Sequence, residues 1–137
     1  MKARSRRQEG QLLVIAAAVL AFLFVPLSVV VIDSALVESS YAQLGETVQA
    51  AVEDGASAID EDRYLRSDGQ DVVLDRTVAR ATTERSLVAS QMPGLDDWTV
   101  DVAGNTVTAT ARVRVRLLLL GTVNLHQARS ATFAYGS

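Results

Sequence analysis

The 137-residue sequence contains no cysteine, one histidine and two prolines. Without cysteine there is no thiol nucleophile, no thiolate metal site and no disulfide framework. The lone His126 has no second histidine or motif-spaced acid beside it, so it reads as a satisfied or solvent-facing side chain. The eight glycines are scattered, which excludes a glycine-rich phosphate loop and a collagen-like repeat. Ser86, Ser90 and Ser130 have no nucleophile-elbow context. Aromatic residues make up only 5% of a chain that is 49% hydrophobic. With no aromatic stacking platform and a net charge of −3, nucleic acid is not an expected partner. Neither a cofactor, a resident metal nor a small-molecule substrate is implied, and the chain is not read as an enzyme.

What the sequence does have is aliphatic, and much of it lies in one place. Leu12 to Ile32 carries no charged residue and is interrupted only by Pro26 and Ser28. As a helix rising ~1.5 Å per residue it spans about 31 Å, close to the thickness of a bilayer's hydrocarbon core. Lys2, Arg4, Arg6 and Arg7 precede it, against the single acid Glu9; Asp33 and Glu38 follow it, with no basic residue before Arg63. The positive-inside bias therefore predicts a cytoplasmic basic leader at 1–10, a single transmembrane helix at 11–32 and an extracytoplasmic domain at 33–137 of a cell-membrane protein. A cleaved secretory signal is disfavoured, because Ser40-Tyr41-Ala42 lies too far beyond the apolar run. With no ionisable group inside the span, an ion or proton pathway has no support. Pro26 predicts a kink.

Beyond the apolar run, Val37, Tyr41, Leu44, Val48, Ala51, Val52, Ala56 and Ile59 recur at alternating spacings near four and three, which extends the same helix to about residue 59. Residues 60–70 read as a solvated acidic loop, since the spacing of Asp60, Asp62 and Asp68 does not match a calcium-binding loop. Asp71 to Met92 reads as a second helix with Leu74, Val78, Ala81 and Val88 near one face, ended by Pro93-Gly94. Asp96-Asp97 reads as part of a turn. The period then becomes two. Trp98, Val100 and Val102 alternate with polar neighbours; Val107 to Leu117 alternates strictly with threonines and arginines; Leu125 to Tyr135 supplies a third strand. The fold class is α+β, a long helix carrying a small helix-on-antiparallel-sheet domain.

Two features of that sheet are candidate partner contacts. Arg112, Arg114 and Arg116 share one strand face at ~6.6 Å spacing. They suit either a solvated face paired with acids such as Asp101 or those of the second helix, or a surface for an acidic subunit or anionic lipid head groups. Leu117 to Leu120 then places leucines on both faces, so Leu118 and Leu120 need cover. Core packing or a partner subunit is favoured over lipid.

Three stretches together resemble the TadE/TadG-like family of tight-adherence (Flp) pilus assembly proteins. One is Arg7-Gln8-Glu9-Gly10-Gln11 running into the apolar helix. Another is Val31-Ile32-Asp33 leading to Leu44 and the alanine-rich Val48 to Ala58. The last runs from Val107-Thr108-Ala109-Thr110-Ala111 through Leu120-Gly121 to Arg129-Ser130-Ala131-Thr132-Phe133-Ala134. The resemblance implies a pilin-like domain and a non-enzymatic minor pilin-like or scaffold subunit, with the lipid bilayer and other pilus or secretion-apparatus membrane subunits as partners. It also makes Gly10-Gln11 a candidate processing site, although Ile15 stands where prepilin-peptidase substrates carry glutamate. The alternative is a signal-anchored extracytoplasmic binding module unrelated to pili, working through the arginine row or the leucine tip.

Overall fold

A computed structural model of the chain describes residues 2–70 and 72–133, with side chains from Arg7 onward. The order of elements is α1 (Lys2–Ala56), α2 (Glu61–Arg66), α3 (Arg76–Ala89), β1 (Leu95–Ala103), β2 (Thr106–Arg116) and β3 (Thr122–Thr132). The three strands form one antiparallel meander in the order β1-β2-β3. Leader side chains at Lys2, Arg4 and Arg6, the start of the expected second helix at Asp71, and the ends of the expected third strand and of the last family-like stretch, Tyr135 and Ala134, lie outside the described residues.

α1 is a single 55-residue helix that runs through Pro26 without interruption. At ~1.5 Å per residue it is about 80 Å long. Its two halves live in different surroundings. From Leu12 to Ile32 the large side chains stand exposed except for half-buried Val29; Phe22 is 82% exposed. Ser28 and Ser34 donate their hydroxyls back to the carbonyls of Phe24 and Val30, at 2.7 and 2.9 Å, so both groups are satisfied without water. From Leu44 onward the helix is the spine of the domain, and Leu44, Val48, Ala51 and Val52 are completely buried. Full burial of a Leu or Val side chain contributes about 1.5–3 kcal/mol, so this half-helix is held by packing rather than by propensity.

The sheet lies against that spine. On β2, Val107, Ala109, Ala111 and Val113 point inward and are buried, while the intervening threonines and arginines face out. Registers of Trp98 with Ala111, Val100 with Ala109 and Val113 with Leu125 extend the apolar face across all three strands. The small residues of β2 bring the helix close. β1 begins at a constrained point: Gly94 has φ +80°, and a Cβ there would strike the carbonyl oxygen of Arg114. Arg114 N–H donates to the Gly94 carbonyl at 2.8 Å, which starts the β1–β2 pairing.

α3 packs across α1 and flanks β1 with a face different from the one the periodicity suggests. Val78 and Val88 are exposed (48% and 60%), and Ala81 is exposed too; the buried residues are Ala79, Thr83 and Leu87, spaced by four. The reason is the closeness of the crossing. A Cβ on Gly55 of α1 would run into Thr83 Oγ1 and lie 3.0 Å from the Ala79 carbonyl, so only small residues fit between the helices. Leu74 is buried as expected, but it precedes the helix. A short antiparallel clip ties the end of α1 to the start of α3: Asp60 N–H donates to Val73 O at 2.8 Å and Asp75 N–H to Ala58 O at 3.0 Å. Asp75 then caps α3 through the amides of Thr77 and Val78. The segment read as a loop contains α2, capped by Asp60 accepting from Arg63 N–H at 3.0 Å.

Candidate functional site

The acid that follows the apolar run has an unexpected partner. Asp33 is only 3% exposed, and its carboxylate accepts the backbone N–H groups of Leu118 at 2.8 Å and Leu119 at 2.9 Å. A buried carboxylate is costly unless hydrogen-bonded, and two charge-assisted bonds to otherwise free amides satisfy both sides. The β2–β3 connection is thereby latched to α1 one residue beyond Ile32. A further bond closes the turn, from Leu117 N–H to Gly121 O at 2.6 Å.

Leu117 is buried beneath this latch, but Leu118, Leu119 and Leu120 are 69%, 56% and 75% exposed. The expected core packing therefore holds for Leu117 alone. Between the tip and α1 lies an open, mainly apolar groove of about 560 Å³ lined by Val30, Val37, Tyr41, Leu117, Leu119 and Leu120, with Asp33, Ser34 and Glu38 alongside. Tyr41 belongs to this groove and is 49% exposed. Ser40-Tyr41-Ala42 thus sits within the unbroken α1, where the Tyr41 carbonyl also accepts from buried Gln127 at 3.4 Å.

The arginine row is present on the outer face of β2, but its acids are neither Asp101 nor those of α3. Arg112 grips Asp96 with Nε at 3.1 Å and Nη2 at 3.4 Å, and lies 3.8 Å from Asp97. Arg114 Nη2 reaches Asp96 Oδ2, the oxygen that Arg112 Nη2 also contacts, at 2.9 Å. An irregularity in register between Leu95 and Asp97 turns these acids toward the row; they belong to β1 and not to a turn. The Arg112 hydrogen bond, together with the charges of Arg112 and Arg114 and against some desolvation, holds the Asp96 carboxyl below the usual carboxylate range. Arg116, at the end of β2 nearest the tip, is exposed and makes no ion pair among the described residues. Elsewhere, Arg80 of α3 donates twice to the Val100 carbonyl, at 3.2 and 2.7 Å, fixing the helix over β1.

Gly10 and Gln11 lie inside α1 with open space around Gly10. His126 is exposed on the outer face of β3, opposite Arg112. Among the described residues no three His, Asp or Glu side chains converge as a metal site would require. Asp60, Asp62 and Asp68 form no such cluster, and the first is occupied as a helix cap.

Comparison of the chain with protein-family models, curated protein sequences and solved structures gives no match. The arrangement itself is that of a bare apolar rod, a small head built on the same rod, and a leucine tip latched at the junction. In the sequence Asp33 stands out as a charge after the apolar run and as part of the Val31-Ile32-Asp33 stretch, with no bonding partner indicated. The signal that could have found its role is its position: an acid directly at the end of such a run needs polar partners from elsewhere in the chain.

Proposed function

We propose that the chain is a single-pass membrane protein whose extracytoplasmic head is a non-enzymatic, minor pilin-like or scaffold subunit of a Tad/Flp-type pilus assembly or secretion apparatus. The observation that carries the membrane part is the uncovered surface of α1. Among the described residues it is the one helix long and apolar enough to cross a bilayer, and its apolar stretch is left almost wholly uncovered, with only Val29 half-buried and Val30 bordering the groove beside the leucine tip. The core helix of a water-soluble fold would be covered by its neighbours, and this one is not. The pilus part rests on the TadE/TadG-like resemblance of the three stretches. A long helix that is anchor at one end and core spine at the other also suits a subunit that presents a fixed surface to membrane neighbours.

Affinity capture of the full-length chain in mild detergent tests the assignment. Co-purification of a secretion ATPase or of polytopic membrane components of a pilus machine is the expected result; a gene standing apart from such components, together with a capture free of them, would refute it. The binding-module alternative draws less support from the geometry, because Asp96 already engages Arg112 and Arg114.

A further inference from the structure

We propose that Leu118, Leu119 and Leu120 form a second lipid contact, set in the outer-leaflet interface and held at that depth by Asp33. This rests on the membrane-anchored reading above and adds to it a specific site and a specific occupant. Four observations place the tip there. Its axial level is fixed, because the amides of Leu118 and Leu119 bond to the residue immediately following Ile32, the last of the apolar run. Its side chains are exposed and share a groove with Val30 of the uncovered apolar run, so a medium that covers Val30 also meets the tip.

The backbone is prepared for a low-dielectric setting as well. Unsatisfied amides are excluded from the apolar part of a bilayer, and here the N–H groups of Leu117, Leu118 and Leu119 are bonded within the protein, while that of Leu120 has no partner among the described residues and is left to the hydrated interface. A turn meant for water could leave these groups to solvent. Finally, the polar neighbours match a head-group layer. Tyr41, an aromatic with a polar end, lines the groove beside the tip together with Ser34 and Glu38, and the guanidinium of Arg116, which makes no ion pair among the described residues, lies two residues from Leu118, suited to a lipid phosphate. Lipid is favoured over a protein partner because it is the one surface that every anchored copy meets at this level.

The chain's lack of cysteine makes the test direct. Leu120→Cys and, separately, Leu20→Cys are labelled with an environment-sensitive fluorophore in the full-length protein. Both positions are exposed, so neither substitution disturbs packing. The proteins are reconstituted in vesicles of phosphatidylcholine and phosphatidylglycerol in equal parts, and quenching by nitroxide attached high on the acyl chain is compared with quenching by aqueous iodide. A position-120 label that loses most of its emission to the nitroxide and little to iodide is the expected result. Iodide quenching at 120 with a lipid-quenched label at 20 would overturn the tip contact while leaving the anchor intact. Protection of the 120 label from both quenchers would mean that protein covers the tip, and would overturn the proposal equally. A label at 20 open to iodide would defeat the membrane reading and the tip contact together.

Discussion

Asp33 does more than its neighbours in the sequence suggest. Its two bonds to the tip amides join the last described turn of the sheet to the exit of the apolar helix, across sequence separations of 85 and 86 residues. Removing the carboxylate leaves two amides without their acceptor, at a cost typical of lost charge-assisted hydrogen bonds. Asp33→Ala is therefore expected to lower unfolding stability in detergent by about 2 kcal/mol or more, read by denaturant titration, with Asp33→Asn less affected because its carbonyl keeps one bond. An unchanged midpoint in Asp33→Ala would show that the latch is not maintained in solution. Asp96 offers a pH-dependent contrast. Its folded-state pKa is depressed, so the stabilisation it gives is present above the unfolded value near ~3.9 and fades as pH falls through the lower folded value. The difference in Tm between wild type and Asp96→Asn should accordingly be small at neutral pH and shrink below about pH 4. Because the arginines are substantially exposed, added salt should reduce it too.

Among the elements, the strands and the spine helix follow directly from hydrophobic period, whereas α3 and α2 do not. Leu44, Val48, Ala51 and Val52 fall on the buried face that their spacing predicts, and the alternation of β2 survives as alternating burial. α3 departs because periodicity weighs large aliphatic residues, while a helix crossing at Gly55 selects for small ones. Thr83 and Ala79 occupy the contact, and Val78 and Val88 are left in solvent. Substitutions measure this inversion. Leu87→Ala should cost about 2–5 kcal/mol, since Leu87 is fully buried, whereas Val88→Ser should stay within about 0.5 kcal/mol. Equal costs at the two positions would contradict the observed face. α2 escaped notice because six residues without a buried side chain leave no apolar pattern; its capping acid Asp60 was the readable trace. The latch was illegible for a different reason: hydrogen bonds between an acid and distant backbone amides leave no mark on residue type at the receiving end.

For the whole molecule, charge and hydropathy mark 11–32 as the expected anchor from sequence alone, and the uncovered apolar half of α1 is compatible with that reading. Orientation rests on the leader's basic residues, which makes it testable by accessibility. A membrane-impermeant maleimide applied to intact cells should modify Thr110→Cys on the outer sheet face and spare Gln8→Cys until the membrane is opened; the reverse labelling pattern would invert the topology. A last consequence belongs to the unbroken run of α1 from Lys2 to Ala56. A head hung on a flexible tether samples many orientations, and each association must remove that freedom. On the anchor reading proposed above, the rod that stands in the bilayer is also the centre of the head, so the head's freedom to move relative to its anchor is already lost on folding. Encounters with a neighbouring subunit then reduce to a search in two dimensions between surfaces held at a common height, and modest contact areas become sufficient for specific assembly.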